Sequence, residues 1–342
     1  MRILIDIGHP AHVHLFRNFI KVMEKKGNKI LVTIREKENV EELLNYYKIH
    51  YISLGKNKKT MLEKIGTLYS YSKKLYYIAR DFNPNIFLSH GSMYAAHVSR
   101  LLGKSHISME DTEHSSEQIN LYKPFTDVIL TSNSFTKNLG QKQIRYNGYH
   151  ELAYLHPNYF KSDSSILDFL GIQKDEKFVI IRFISWSASH DFGHTGLSLE
   201  MKRKIVRELS KYARIVITSE DPLPRDLEKY RSTIPPERMH DALYYASLYA
   251  GEGATMASEA ACLGTPFVTF VSSHKIGYLI EQEEKYKLGF SCSELKDIIS
   301  TSINILDGSI NPNIWVERRR SMINSKIDVT KFLVSKVENW KA

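Results

Sequence analysis

The chain is 342 residues long, with 42% hydrophobic and 25% charged residues, proportions ordinary for a globular protein. Collagen-like, fibrous and low-complexity readings are excluded, and at roughly 150 residues per domain the length suggests two domains, each with its own core. Two cysteines, Cys262 and Cys292, can form at most one bridge, so no disulfide framework is expected and a reducing compartment is the simpler reading. The opening MRILIDIGHP reads as a strand and turn rather than a signal peptide, and no apolar run approaches the ~18 residues of a membrane span. A cytoplasmic protein is expected. The net charge of +9 suits anionic partners such as nucleotides and phosphorylated substrates. It also allows peripheral contact with the acidic inner face of a membrane. No nucleic-acid motif is present, and no nucleic-acid partner is expected.

In chain order, 2–7 is a strand candidate, followed by a turn and a helix over 13–26 that Gly27-Asn28 stops. A strand over 29–34, a helix over 36–47 and a strand over 50–54 come next. A longer helix over 61–81 ends at Asn83-Pro84. The strand 85–89 runs into His90-Gly91-Ser92 and a helix ending near Gly103; 106–109 and 128–130 are further buried strands. Strands and helices alternating at this spacing predict a parallel sheet with helices on both faces. The pattern pauses after Asn147, and 156–163, containing Pro, Asn, Ser and Asp, reads as an interdomain crossing. A second alternating half follows: strand 178–184, helix 198–212, strand 214–218, short helix 241–249, loop 251–255, helix 256–263 and strand 266–271. The expectation is an α/β fold of two doubly wound, Rossmann-type domains, 1–155 and 156–325, with a ligand cleft between them at the carboxyl ends of the sheets. The remaining 326–342 is expected to form a helix, with packing back onto the N-terminal domain as one option.

The most informative segment runs from Gly251 to Pro266, GEGATMASEAACLGTP. Glycines before a helix let the backbone approach an anion, and the helix N-terminus offers unpaired N–H groups and a positive dipole end. Thr255 can add a hydroxyl donor. Glu259 lies one turn further on, where a carboxylate can accept hydrogen bonds from both hydroxyls of a ribose. A tight turn capping a packed helix is the plainer alternative.

This segment resembles the nucleotide-sugar motif of GT-B glycosyltransferases, and is especially similar to that of the lipid-linked peptidoglycan N-acetylglucosaminyltransferase. Gly253, Ala254, Ser258 and Glu259 fall on matching positions of that family's glycine–alanine–x–threonine–x–serine–glutamate run. The resemblance implies that the glutamate binds ribose and the loop binds diphosphate. The whole chain also resembles a bacterial and archaeal group of GT-B-like proteins known as a domain of unknown function. UDP-N-acetylglucosamine 2-epimerases share the two-domain plan, but their N-terminal Gly-Thr-Arg-Pro-Glu string is missing. The resemblance implies a GT-B-like fold and a nucleotide-sugar site of Arg182, Ser185, Gly253, Ala254, Thr255, Met256, Glu259 and His274. Where the related transferase has glutamines that hold the donor sugar, this chain has Gly277 and Tyr278.

The N-terminal loop Gly8-His9-Pro10-Ala11-His12-Val13-His14 resembles the transferase loop that ends in His-Val at the start of the first helix. Aligning His-Val puts His12 on the family's cleft histidine. An imidazole with an ordinary pKa near 6.5 suits a general base at neutral pH. Asp111, after a predicted strand, can orient it or take the proton itself. His12 and Asp111 are therefore the candidate catalytic residues, with His9, His14, His90 and Glu110 on the acceptor side. The plainer readings are a helix cap for the histidines and an acidic helix N-terminus for 110–113.

The function expected is metal-independent transfer of a sugar from a nucleotide-sugar donor, most simply a UDP-sugar, to a carbohydrate or lipid-linked acceptor hydroxyl, as in cell-surface polysaccharide synthesis. No further cofactor is expected. The alternatives are a 2-epimerase-like enzyme and a non-catalytic nucleotide-sugar-binding protein. No Asp-x-Asp occurs, so a metal-held diphosphate is not signalled. A metal hydrolase built on His12-x-His14, with ligands from Glu110, Asp111, Glu113 and His114, would need a closed barrel that the second half does not fit. No stoichiometric zinc is expected.

Overall fold

The computed structural model describes residues 1–37, 39–56, 61–184, 196–271 and 276–340. The chain divides into two units, Met1–Tyr154 with Ile327–Ala342, and Leu155–Lys326. In the first unit β1 (Arg2–Ile7), α1 (Pro10–Lys25), β2 (Lys29–Glu36), α2 (Val40–Tyr46), β3 (Tyr51–Lys56), α3 (Met61–Phe82), β4 (Ile86–His90), α4 (Met93–Leu101), β5 (Ser105–Glu110), α5 (Ser116–Tyr122), β6 (Val128–Ser132) and β7 (Gln143–Tyr146) alternate. Their strands form one parallel sheet in the order β3-β2-β1-β4-β5-β6-β7. The order reverses between β1 and β4, opening a crevice at their carboxyl ends where such sheets bind ligands. Continuous buried runs such as Ile3, Leu4 and Ile5 on β1 and Phe87 and Leu88 on β4 are what a sheet covered on both faces requires.

After α6 (Leu152–Leu155), the second unit comprises α7 (Ser165–Leu170), β8 (Phe178–Phe183), α8 (Leu199–Leu209), β9 (Arg214–Ser219), α9 (Met239–Tyr245), β10 (Leu248–Gly251), α10 (Ala254–Leu263), β11 (Phe267–Phe270), α11 (Gly277–Ile280), β12 (Gly289–Cys292), α12 (Leu295–Leu306) and α13 (Asn313–Ser325). Its parallel sheet has the order β12-β11-β10-β8-β9, reversing between β10 and β8. Three strands escape the sequence pattern. β7 and β12 are edge strands whose half-exposed residues break the apolar run. β10 begins inside the stretch read as helix 241–249, because α9 ends at Tyr245.

The last helix, α14 (Val329–Glu338), belongs to the first unit. Asp328 caps it, and Val329, Leu333, Val334 and Val337 are buried. Thr330 donates to the Ala153 carbonyl at 2.8 Å, Ile327 N–H donates to the Asn147 carbonyl at 2.9 Å, and Lys26 on the α1 side pairs with Glu338 at 2.7 Å. A Cβ on Gly148 would lie 2.6 Å from Val329, so glycine lets the chain after β7 press against this helix. No helix among the described residues is long and apolar enough to cross a membrane.

One buried histidine of the first sheet gives a pH-dependent stability. His106 on β5 lies between the Ser89 and Thr126 hydroxyls, each 2.9 Å away, and burial pushes its pKa down to about 3. Above an unfolded pKa of about 6.5 neither state is protonated and the contribution is complete. Below it the unfolded chain binds a proton that the fold refuses, so stability falls by up to about 1.4 kcal/mol per pH unit down to the folded pKa. We expect urea unfolding of His106→Gln to show a flatter loss of stability than wild type between about pH 6 and pH 4. Equal slopes would show that His106 does not carry this dependence.

Candidate functional site

At the carboxyl edge of the first sheet the chain leaves β1 through Gly8 and His9 and enters α1. His9 caps the helix, its Nδ1 accepting from Ala11 N–H at 3.2 Å, and Pro10 occupies the first helical position, where no N–H is needed. His12 in the first turn stacks on His90 from the end of β4, with ring centroids 4.4 Å apart. Burial, reinforced by His90, His9 and Arg35, holds the His12 pKa well below its ordinary value, so the ring is neutral. Gly8 N–H points at its Nδ1 from 3.4 Å.

Asp111 follows β5 directly. Its Oδ1 lies 3.1 Å from His90 Nε2 and its Oδ2 lies 3.2 Å from His150 Nδ1. Thr112 Oγ1 donates to Oδ1 at 2.9 Å. Burial pushes the Asp111 pKa up, but His150 and His90 outweigh it and hold the carboxyl well below the usual range. Burial pushes the His90 pKa down, and the charge and hydrogen bond of Asp111 reverse this, raising it to about 9. His150 stands in the turn after β7, its ring parallel to that of Tyr146 at 6.2 Å. Tyr146 Oη and His150 Nε2 are both buried, and neither has a hydrogen-bond partner among the described residues.

The structure thus gathers His9, His12, His90 and Asp111 beside the β1–β4 reversal and adds His150 and Tyr146, which the sequence reading missed. Nothing in the spacing ties residue 150 to residue 111. The pause after Asn147 was the available signal, because a polar turn at a strand end is where functional side chains collect. Two other candidates turn their side chains to different partners. His14 packs against Tyr154 and Tyr47, with ring centroids 5.4 and 5.9 Å away. Glu110 turns inward, accepting from the Asp111 and Thr112 N–H groups and, at 2.7 Å, from Tyr122 Oη.

In the second unit Gly251 and Gly253 take φ of +111° and +102°, and α10 starts on Gly253 with no side-chain cap. A Cβ on Gly251 would lie 2.3 Å from the Arg182 carbonyl, so the loop after β10 fits against β8 only as glycine. Arg182 on β8 pairs with Glu220 at 2.5 Å, and its Cγ lies 3.6 Å from where a Gly253 Cβ would stand. Ala254, Thr255 and Met256 form the first turn of α10, with Thr255 exposed. Glu259 is buried one turn on, its Oε1 3.0 Å from His240 Nε2. Glu252 accepts from the Ile184 and Leu197 N–H groups at 3.2 and 2.7 Å and braces the loop. Ser185 and His274 lie outside the described residues. Glycine turn, helix N-terminus, arginine and buried carboxylate therefore share the β8–β10 reversal, the place where doubly wound sheets receive phosphates.

A family model described as "Protein of unknown function (DUF354)" matches residues 1–341. The chain belongs to this DUF354 family. The uncharacterized protein MJ0665 of Methanocaldococcus jannaschii is 27% identical over 310 residues, 86% of this chain and 89% of its own length. Among solved structures, UDP-GlcNAc 2-epimerase from Neisseria meningitidis bound to UDP-GlcNAc is similar at a TM-score of 0.70 and 14% identity, covering 99% of this chain and 100% of that one. Spinosyn rhamnosyltransferase SpnG complexed with thymidine diphosphate is similar at 0.66 and 10% identity, with coverage of 99% and 100%. At these identities the likeness is one of fold. The DUF354 chain has two parallel-sheet Rossmann-like units, the GT-B fold of these neighbours.

Proposed function

We propose that this protein transfers a sugar from a nucleoside diphosphate, UDP foremost, to an acceptor hydroxyl. The observation that carries this reading is the loop between β10 and α10. Two left-handed glycines lead into an uncapped helix N-terminus with Arg182 alongside and Glu259 one turn behind. Backbone N–H groups, helix dipole and guanidinium together can hold a leaving diphosphate without a metal ion. Glu259 is the ribose-binding carboxylate, steadied by His240. On the N-terminal unit, neutral His12 accepts a hydrogen bond from the acceptor hydroxyl. As the acceptor oxygen bonds to the anomeric carbon, the bond to the diphosphate breaks and the acceptor proton passes to the His12 imidazole.

Thermal stabilisation by UDP, GDP, CMP and TDP and their sugars would identify the donor. Product analysis then tests the chemistry: transfer or hydrolysis supports the proposal. The likeness to the N. meningitidis enzyme favours a second reading, 2-epimerisation of a UDP-sugar. Recovery of an epimer as the product would establish that reading and overturn transfer. We further expect His12→Ala to lower turnover about 100-fold or more while leaving donor affinity within a few fold. Lost donor affinity with intact saturated turnover would make His12 a binding residue.

A further inference from the structure

We infer that His90, Asp111 and His150 bind one divalent transition-metal ion, zinc foremost, on the N-terminal unit. Their candidate ligand atoms all lie within 4.8 Å of one another. The 3.1 and 3.2 Å separations of His90 Nε2 and His150 Nδ1 from the Asp111 oxygens approach the ~3.4 Å between two ligand atoms held 2.0–2.1 Å from a tetrahedral ion. Three different segments, ending β4, β5 and β7, bring these atoms together. That convergence, with a carboxylate further oriented by Thr112, is how a metal site is assembled from rigid elements.

The donor set fixes the class of ion. Two imidazoles and one carboxylate suit zinc, cobalt or ferrous iron, whereas magnesium and calcium take oxygen donors. Both cysteines are buried and belong to the other unit. Three protein ligands leave at least one position for water or an alcohol oxygen. The independent observation is Tyr146: its hydroxyl is buried without a partner, and the Asp111 charge reaches it. A metal-bound water would give that phenol a partner. The site departs from the expectation of no stoichiometric zinc, and its ligands differ from the His12-x-His14 pair weighed from the sequence, because His14 packs among tyrosines and His12 Nδ1 faces the Gly8 N–H. The site goes beyond the sugar-transfer reading, and its three ligands all belong to the N-terminal unit.

The test uses full-length protein stripped with EDTA, returned to chelator-free buffer and titrated with Co2+, followed by its visible d–d bands, and then displaced by Zn2+. We expect one ion per chain. Asp111→Asn and His150→Gln should each weaken Co2+ at least about 100-fold, since loss of even an outer partner of a ligand costs 10–100-fold. His14→Gln should leave it unchanged. X-ray absorption of the zinc-loaded wild type requires no variant to fold, and should show two imidazoles with oxygen and no sulfur. No specific cobalt spectrum, sulfur ligation, or loss of the ion in His14→Gln but not in His150→Gln would each overturn the site. UDP binding is measured beside it, with and without EDTA. EDTA-insensitive UDP binding with a failed cobalt titration rejects the metal alone, and a successful cobalt titration with no UDP binding rejects the nucleotide reading alone.

Discussion

Glu259→Ala is expected to weaken UDP binding by about 2–4 kcal/mol, roughly 30- to 1,000-fold in Kd, through loss of two hydrogen bonds to a charged acceptor. The residue is buried on α10, one turn past Thr255, and held by His240. Its removal also leaves that imidazole without the carboxylate, so calorimetry should include Glu259→Gln, which keeps the volume and an acceptor oxygen while removing the charge. An intermediate loss in Gln and a full loss in Ala would mark charge and hydrogen bonding as separate contributions. UDP affinity unchanged in a folded Ala variant would remove Glu259 from the site.

Deletion of 327–342 is expected to unfold the N-terminal unit. Four buried apolar side chains of α14 would be lost, each contributing about 1.5–3 kcal/mol, for a total of about 6–12 kcal/mol. That is comparable to the whole stability of a typical domain, roughly 5–15 kcal/mol. The deletion also removes the contacts that hold Asn147 and Ala153. Limited proteolysis should then cut throughout 1–154, where the intact protein resists. A truncated chain with the same protease resistance and unfolding midpoint would show that α14 is dispensable.

Alternation of strand and helix was legible because buried parallel strands leave unbroken apolar runs such as Ile3-Leu4-Ile5 and Val179-Ile180-Ile181. Edge strands leave none: Gln143, Arg145 and Ser291 alternate with Tyr146 and Cys292, so β7 and β12 were not seen. The glycine loop before α10 could be read from local chemistry, since backbone geometry of that kind is written in adjacent residues. The group around Asp111 was legible only in part. His12 and His90 sit at recognisable strand ends, whereas His150 reaches Asp111 only through tertiary packing of the segment after β7. His240 likewise meets its partner Glu259 only in the folded chain.

The position of α14 also sets an order of events during synthesis. The N-terminal unit is made from both ends of the chain, with Leu155–Lys326 between them. A ribosome therefore finishes the second unit before the first has its final helix. Until residues 327–338 emerge, the sheet edge around Asn147–Ala153 lacks its cover, and apolar surface meant for α14 stays exposed. Domains folding as units during translation usually do so N-terminal first. Here the nascent N-terminal half waits, and pulse-labelled chains stalled before 327 should be the ones that chaperones hold.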